Sequence, residues 1–205
     1  MARPDSRGNG SLGFRAYNSN GVPGFVTAAH LRNGSGGRLT PGNVMRTRPQ
    51  NGTWRDIGVV YRAQLVGLDA AFVTTGSNSI VTNNVPNGVL DKMSGTLWPV
   101  TGSFVFSVGY GTNLSLRSGE ILAVGVVTHA PGGNIMDSVR VQMQSNGGDS
   151  GGIVFGRPPG NPSFPLLVAG ITVTGGQTID GHRTHFSRAD NILREFGLTL
   201  MNWWL

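Results

Sequence analysis

A serine lies among glycines at residues 147–152, which read Gly-Gly-Asp-Ser-Gly-Gly. The small neighbours leave the Ser150 hydroxyl and the nearby backbone N–H groups open to a ligand. A serine hydroxyl is a weak nucleophile at neutral pH and needs a general base within hydrogen-bond reach, which a third group orients. The segment therefore predicts a nucleophile, and the rest of the chain should supply a histidine and a carboxylate. The alternative is a turn serine that binds its own backbone.

Two apolar segments upstream carry the required groups. His30 follows the apolar run 24–29, which indicates a buried strand that delivers an imidazole at its exit. Asp69 precedes another apolar strand, residues 70–73. His30 would take the serine proton and return it to the leaving amine, while Asp69 would hold the imidazole tautomer. The chain thus offers His30, Asp69 and Ser150 as a catalytic triad.

Other side chains compete for these roles. Asp56 also precedes an apolar strand, but the Ala-Ala-Phe-Val that follows Asp69 favours Asp69 as the orienting carboxylate. Asp56 is expected to cap a strand or to pair with Arg55 at the surface. Three further histidines end no comparable strand and are not expected in the triad, namely His129, His182 and His185.

The composition predicts an all-β fold around these residues. The 205 residues include 33 glycines and 11 prolines without periodicity, so long helices are not expected. Short apolar runs alternate with Gly, Asn and Pro turns, which is typical of sandwiches and barrels. One short helix is expected at residues 189–196, with Gly197 as its stop. The predicted strands are 57–61, 69–74, 104–108, 121–128, 139–143 and 166–174.

Three phrases together resemble the signature blocks of chymotrypsin-like serine proteases of the trypsin superfamily. They are Thr-Ala-Ala-His at 27–30, Asp-Ala-Ala-Phe-Val at 69–73 and Gly-Asp-Ser-Gly-Gly at 148–152. Their order of His, Asp and Ser along the chain is that of the chymotrypsin fold. The resemblance is closer to the secreted bacterial streptogrisin and α-lytic type, covers about residues 11–200, and extends to the stretches 13–28, 116–121 and 191–198.

This resemblance implies two six-stranded antiparallel β-barrels and a short C-terminal helix in one peptidase domain, residues 1–205. The triad would lie in the cleft between the barrels, with His30 and Asp69 from the first and Ser150 from the second. The N-terminal barrel is expected at about 11–90, the C-terminal barrel at about 95–188 and the helix at about 189–197. Activity is expected to rise from acid toward neutral pH as His30 loses its proton.

The resemblance also gives roles to the neighbours of Ser150. The backbone N–H groups of Gly148 and Ser150 would form the oxyanion hole, where each such donor contributes about 3 kcal/mol to the transition state. Asp149 should point into the protein, where relatives pair it with a freed N-terminus or a buried arginine. The corresponding strand, residues 108–111, has no arginine. Because an unpaired buried carboxylate is costly, the alternatives are Tyr110, backbone donors or an arginine from elsewhere.

Substrate binding is expected to combine strand pairing with one side-chain pocket. An extended peptide would pair with Val173, Thr174 and Gly175. Gln144 and Ser145 would form the base of the pocket. Gln144 stands where a trypsin-like enzyme has an aspartate, which predicts a neutral pocket for apolar or aromatic side chains unless Asp180 reaches it.

Three other functions compete with a neutral-pocket endopeptidase. A glutamate-preferring endopeptidase would use Ser145, His182 and His185, although relatives with that preference commonly have a histidine where this chain has Thr172. A catalytically silent peptide-binding relative would keep the cleft, although such proteins generally lose a triad residue. A quality-control protease of the HtrA group would usually read Asn in place of Asp149 and carry a further peptide-binding domain.

Charge and cysteine content limit the partners and the compartment. The net charge is +6, but the basic residues are scattered singly, so no nucleic-acid partner is expected. No apolar run spans a membrane and no signal peptide is visible. We expect a monomeric, secreted enzyme from which a signal and a pro-segment have been removed, acting on polypeptides without metal or cofactor. The chain has no cysteine, and Leu31 and Asn146 stand where relatives have cysteines. Because disulfides persist mainly in oxidising compartments, their absence leaves a cytoplasmic enzyme as the alternative.

Overall fold

The computed structural model describes residues 10–32, 37–47, 53, 55–76, 93–130, 132–161 and 163–201. These residues form strands and one short helix. In chain order the elements are β1 (Arg15–Tyr17), β2 (Pro23–Thr27), β3 (Val44–Thr47), β4 (Arg55–Gln64), β5 (Ala70–Thr74), β6 (Phe104–Ser107), β7 (Arg117–Ala130), β8 (Gly133–Gln142), β9 (Ile153–Gly156), β10 (Leu167–Thr178), β11 (Gly181–Arg188), α1 (Ala189–Phe196) and β12 (Thr199–Leu200).

The first sheet has six antiparallel strands in the order β12-β1-β2-β5-β4-β3. Its central pair, β2 and β5, comes from two runs of apolar and β-branched residues that are buried on both faces, as central strands must be. Phe25 and Val73 are partners in this pair and lie in one apolar cluster. The histidine and aspartate of interest lie just beyond one end of the pair.

The second sheet closes into a six-stranded barrel in the order β10-β11-β8-β7-β6-β9. Its longest hairpin, β7 and β8, pairs over its whole length with three irregularities that bend it. Inward-facing apolar side chains of alternating strand positions fill the barrel, among them Ile121, Val139, Val141 and Phe186. The serine loop, residues 146–152, leads into β9.

The helix α1 packs between the two sheets and returns the chain to the first one. Ile192 and Phe196 are buried in a cluster that also contains residues from both sheets. Gly197 ends the helix in the left-handed conformation, with φ of 64°. The chain then adds β12 to β1, with Ala16 opposite Leu200.

The all-β class, the two six-stranded antiparallel sheets and the terminal helix confirm the sequence prediction. All six predicted strands lie within or overlap observed strands. The sequence did not indicate that the sixth strand of the first sheet would be β12, from the far end of the chain. Residues 77–92, which include the predicted end of the N-terminal barrel, lie outside the described residues. In the described part of the chain, no helix is long and apolar enough to cross a membrane.

Candidate active site

His30 and Asp69 form a directly bonded pair at the end of β2 and the start of β5. Asp69 Oδ2 lies 2.6 Å from His30 Nδ1, and Oδ1 accepts a hydrogen bond of 2.9 Å from the His30 backbone N–H. A carboxylate accepts hydrogen bonds, so this contact suits the tautomer of a neutral imidazole with the proton on Nδ1, which leaves Nε2 as an acceptor. Asp69 is 1% exposed, so water does not compete for its oxygens. The structure thus brings together the two side chains that the sequence singled out.

The loop before β5 holds Asp69 in place through the second sheet. Asp69 itself has a φ of 48°, a left-handed conformation that costs a non-glycine residue on the order of 1 kcal/mol. Leu68 O accepts a short hydrogen bond from the buried Ser187 hydroxyl of β11. Gly67 bonds with the β8 hairpin, donating to Asn134 O at 2.7 Å and accepting from Met136 N at 2.9 Å. The carboxylate is thus positioned by both halves of the molecule.

Ser150 lies beside the strand that carries His30. A Cβ placed on the next residue, Gly151, would collide with Thr27 Oγ1 and lie 3.0 Å from Ala28 N, both just before the histidine. Gly151 N also donates to Thr172 O at 2.7 Å, which ties the loop to β10. Among the described residues, the Ser150 hydroxyl makes no hydrogen bond. Catalytic hydrogen bonds are often long in substrate-free enzymes and shorten when substrate binds.

The serine loop leaves the donors predicted for an oxyanion hole unoccupied. Asp149 N, Gly151 N and Gly152 N each donate to a backbone carbonyl. By contrast, Gly148 N and Ser150 N donate to no acceptor in the described part of the chain. Gly148 has a φ of 102°, which side-chain-bearing residues rarely adopt, so a glycine is required for this turn.

Asp149 is buried, at 3% exposure, and is held by neutral donors. Its Oδ1 accepts hydrogen bonds from Thr112 N at 2.8 Å and from Thr112 Oγ1 at 3.2 Å, while Oδ2 accepts from Asn146 N at 2.8 Å. No cationic side chain among the described residues contacts it. Gly109 makes the close approach possible, because a Cβ there would collide with Oδ1. Of the alternatives left open by the sequence, backbone donors hold this carboxylate, and the Thr112 hydroxyl was not foreseen.

Ser11, which the sequence did not single out, joins the serine loop to the amino-terminal segment. Its N–H donates to Ser150 O at 2.7 Å, and its hydroxyl donates to Gly148 O at 2.7 Å. The same hydroxyl oxygen accepts from Tyr110 N at 2.8 Å, and Ser11 O accepts from Thr27 Oγ1 at 2.8 Å. One buried residue therefore connects the loop with the turn beside Asp149 and with β2.

The residues predicted to bind substrate lie on two facing segments. The Ser145 hydroxyl lies against Gly175, so that a Cβ at Gly175 would collide with it. Thr184, the β11 partner of Gly175, is fully buried, and its hydroxyl lies 3.0 Å from Ser145 Oγ and donates to Met143 O at 2.7 Å. Gln144 is exposed. The sequence did not indicate Thr184, which lies beneath Ser145 and Gly175.

The edge of β10 is open where an extended peptide is expected to pair. Val173 is buried, Thr174 is partly buried and Gly175 is exposed. On one side these residues continue the β10 ladder with β11, whereas β9 pairs with β10 only as far as Ile171. In the described chain no strand pairs with the other edge of Val173, Thr174 and Gly175.

Asp180 lies away from these residues, and His185 is bonded elsewhere. Asp180 is at the tip of the β10–β11 hairpin, roughly 10 Å or more beyond Gly175 at the usual rise of a strand. His185 Nδ1 lies 2.6 Å from Thr128 Oγ1 of β7. Burial, followed by the positive charge of Arg140, lowers the pKa of His185 from its ordinary value of 6.5.

Asp56 pairs with a different arginine from the one expected. It accepts a 2.7 Å hydrogen bond from Arg46 Nε on the neighbouring strand, and both side chains are exposed. The expected pairing with Arg55 is therefore wrong, because Arg46 is the cross-strand neighbour of Asp56 in the β3–β4 ladder. Asp56 lies on β4, whereas Asp69 is the carboxylate that bonds to His30 among the residues that the structure describes.

Comparisons with known proteins agree with this geometry. Residues 12–160 match the family described as trypsin-like peptidase domain. Among solved structures, protease A from Thermobifida fusca is 25% identical with a TM-score of 0.73, covering 98% of this chain and 100% of that one. A Nocardiopsis protease is 28% identical with a TM-score of 0.72, covering 95% and 98%. An α-lytic protease homologue is 20% identical with a TM-score of 0.65, covering 95% and 98%. No curated protein sequence matches significantly.

Proposed function

Because the chain belongs to the trypsin-like peptidase domain family, whose activity is that of a serine endopeptidase acting on polypeptides, we propose that His30, Asp69 and Ser150 are its catalytic triad. The observation that carries the proposal is the buried Asp69 carboxylate, which binds both the ring and the backbone of His30 beside the serine loop. The serine loop lies against the residues just before His30, since a Cβ on Gly151 would collide with Thr27 Oγ1.

The proposed reaction is acyl transfer in two halves. Ser150 Oγ attacks the peptide carbonyl carbon while its proton passes to His30 Nε2, and Asp69 stabilises the imidazolium that forms. The tetrahedral intermediate then collapses, the amine leaves with the proton from Nε2, and an ester on Ser150 remains. Water repeats the sequence, giving its proton to Nε2, and the free acid leaves with Ser150 restored.

The negative oxygen of the intermediate would be held by Gly148 N and Ser150 N. Both donors are free of intramolecular acceptors in the described chain, and the turn that presents them is fixed by the bonds of Asp149 and Ser11. Donors that are already oriented need no rearrangement when charge develops, which is why such sites contribute strongly to catalysis.

We also propose that an extended substrate pairs with the open edge at Val173, Thr174 and Gly175. The side chain before the scissile bond would then lie beside this edge and above Gln144 and Ser145, the predicted base of the pocket. Ser145 contributes a hydroxyl there, and Asp180 lies away from it at the hairpin tip. These observations support an uncharged pocket rather than one for arginine or lysine.

The glutamate-preferring alternative is less well supported by the arrangement of histidines. His185 is bonded to Thr128, and the position suggested for a selective histidine is Thr172, whose hydroxyl lies 3.2 Å from Ser107 Oγ. His129 lies near the tip of the β7–β8 hairpin, opposite Asn134. Along β8, that position is roughly 20 Å from Arg140, the residue that pairs with His185. Secretion, a removed pro-segment and a monomeric state stay part of the proposal, as the resemblance to the streptogrisin and α-lytic type implies.

Profiling cleavage of a peptide library tests this function and its pocket together. We expect cleavage after small, apolar or aromatic residues and at least a 10⁴-fold loss of kcat/KM in Ser150→Ala and His30→Ala. An Asp56→Asn control should leave cleavage unchanged, because Asp56 is exposed and bonded only to Arg46 in the described chain. Absence of cleavage by folded wild-type protein would favour the silent peptide-binding relative. Cleavage only after glutamate would overturn the uncharged pocket.

A further inference from the structure

Ser11 forms an unusually dense set of hydrogen bonds for a residue outside the proposed triad. Its N–H donates to Ser150 O, its hydroxyl donates to Gly148 O, and its hydroxyl oxygen accepts from Tyr110 N, each at 2.7–2.8 Å. The residue is 7% exposed, so these bonds are protected from water. They lie on the side of the serine loop that faces the first sheet.

The two loop carbonyls that Ser11 binds flank the peptide that bears the Ser150 N–H. Gly148 O belongs to the peptide between 148 and 149, and Ser150 O belongs to the peptide between 150 and 151. The peptide between them, from 149 to 150, carries the Ser150 donor toward the oxyanion site. Gly152 N holds this peptide itself by donating to Asp149 O at 2.8 Å, and the two bonds to Ser11 restrict the peptides on either side of it.

The bond to Gly148 O also acts on the second proposed donor. Gly148 has a φ of 102°, and a glycine explores alternatives to such a conformation more freely than any other residue. Holding its carbonyl fixes the 148–149 peptide, so the Gly148 N–H, which lies on the preceding peptide, can change direction relative to it only by rotation about φ and ψ of this glycine. A displacement of about 1 Å at a reacting centre can cost a hundredfold in rate.

Ser11 is itself anchored to the strand that carries the general base. Its carbonyl accepts from Thr27 Oγ1 at 2.8 Å, and the following residues pair with β2, with Gly13 N donating to Val26 O at 2.9 Å. The preceding Gly10 packs against the Leu31 side chain, next to His30. Residues 10–13 thus span from the histidine side of the site to the serine side.

We propose that Ser11 is a positioning residue for the oxyanion hole, aligning Gly148 N and Ser150 N and keeping the serine loop in register with β2 and His30. This rests on the proposed function, since it assigns how that function's donors are oriented. Ser11 touches neither substrate nor the reacting atoms. Its hydroxyl should therefore affect the transition state and leave ground-state binding unchanged.

The test compares Ser11→Ala with wild type in peptide hydrolysis and in inhibition by a peptide aldehyde. The aldehyde forms a tetrahedral adduct on serine with an oxyanion, whereas a product-length peptide acid measures ground-state binding. We expect kcat to fall about tenfold or more, which is less than loss of a donor itself. The inhibition constant of the aldehyde should rise by the same factor, while KM and the peptide-acid affinity stay within about twofold.

Ser138→Ala is the matched control for general destabilisation. Ser138 is also a fully buried serine with two partners, Thr128 Oγ1 at 2.6 Å and Val126 O at 2.9 Å, and lies on β8 away from the serine loop. It should lower the unfolding temperature by a similar amount and leave kcat unchanged. If Ser11→Ala does not fold, Ser11→Cys takes its place in the same measurements. It keeps a side chain of similar size and replaces the hydroxyl by a weaker hydrogen-bonding group.

A folded Ser11 variant with wild-type kcat and aldehyde affinity would overturn the positioning role. Parallel losses in kcat for Ser11→Ala and Ser138→Ala would overturn it as well, because they would indicate general loosening. An inactive wild-type protein would instead contradict the proposed function. The two failures are therefore distinguishable.

Discussion

Two of the buried charged side chains, Asp149 and Arg188, are held in opposite ways. Asp149, behind the serine loop, is 3% exposed and is held by two backbone N–H groups and one hydroxyl. Arg188, at the start of α1, is 5% exposed and is held by two carboxylates, Asp137 at 3.0 Å and Asp190 at 2.6 Å, and by the ring of Trp98 at 4.2 Å.

The difference follows from what each region must do. Backbone donors have fixed positions, so they hold the Asp149 carboxylate, and with it the loop, in one conformation. The carboxylates around Arg188 are on side chains that are 45% and 23% exposed and can adjust. Burial opposes the Arg188 charge, but the hydrogen bond and charge of Asp190, and then those of Asp137, raise the pKa of Arg188 above its ordinary value. The first arrangement suits a catalytic loop and the second suits attachment of a helix.

Replacing Asp149 should have the largest effect on both stability and catalysis. Asp149→Ala would leave Thr112 N and Asn146 N without their acceptor and would leave Thr112 Oγ1 with Gly109 O at 3.2 Å, at about 1 kcal/mol or more for each lost bond. We expect a loss of about 3 kcal/mol in the free energy of unfolding by urea denaturation. We also expect at least a hundredfold loss of kcat, because the oxyanion donors lie on either side of Asp149.

Thr112→Val separates the two contributions to the Asp149 prediction. It removes only the hydroxyl and keeps the backbone donor to Asp149 Oδ1, so kcat should fall less than tenfold. An Asp149→Ala variant that is destabilised yet fully active would show that the loop keeps its shape without this carboxylate.

The sequence predicted the proposed catalytic side chains but not the contacts that hold the serine loop. The apolar runs and the spacing of His30, Asp69 and Ser150 carry clear signals, because strand burial and nucleophile chemistry restrict residue types. The partners of Asp149 do not, since a backbone N–H at Thr112 is available from any residue except proline. Ser11 and β12 were missed for a related reason: their roles arise from contacts between distant parts of the chain, Ser11 with residues 148–150 and β12 with β1.

Replacing Arg188 should affect stability without affecting catalysis. Arg188→Met keeps an apolar stem of similar length but removes the bonds to Asp137 and Asp190, which can be hydrated because they are partly exposed. We expect a loss of about 1–2 kcal/mol in the free energy of unfolding, below the larger cost of stranding a fully buried partner. Since these bonds do not reach the serine loop, kcat of the folded protein should be unchanged. If kcat of Arg188→Met fell as much as that of Asp149→Ala, the Arg188 region would also affect catalysis, which would contradict the difference between the two regions.

A partly buried titratable group, His185, should give the smallest effect, visible in the pH dependence of stability. Burial and Arg140 lower its pKa in the folded state, so the unfolded chain binds a proton first as the pH falls below about 6.5. Stability contributed by neutral His185 is therefore complete above that pH and is lost as the pH falls through and below it. His185→Gln should show a shallower loss between pH 7 and 5 in thermal unfolding than wild type. Identical slopes would show that His185 titrates alike in both states.

The proposed catalytic role of the serine loop depends on Ser150. Covalent labelling of the Ser150 hydroxyl tests that role most directly. A peptidyl diphenyl phosphonate reacts with a serine only where a base and an oxyanion site activate it. Intact mass measurement should show one adduct per wild-type chain, located on Ser150 after digestion, and none in folded Ser150→Ala. No adduct on folded wild-type protein, or an adduct that persists in Ser150→Ala, would contradict the assignment of Ser150, His30 and Asp69 as a working triad.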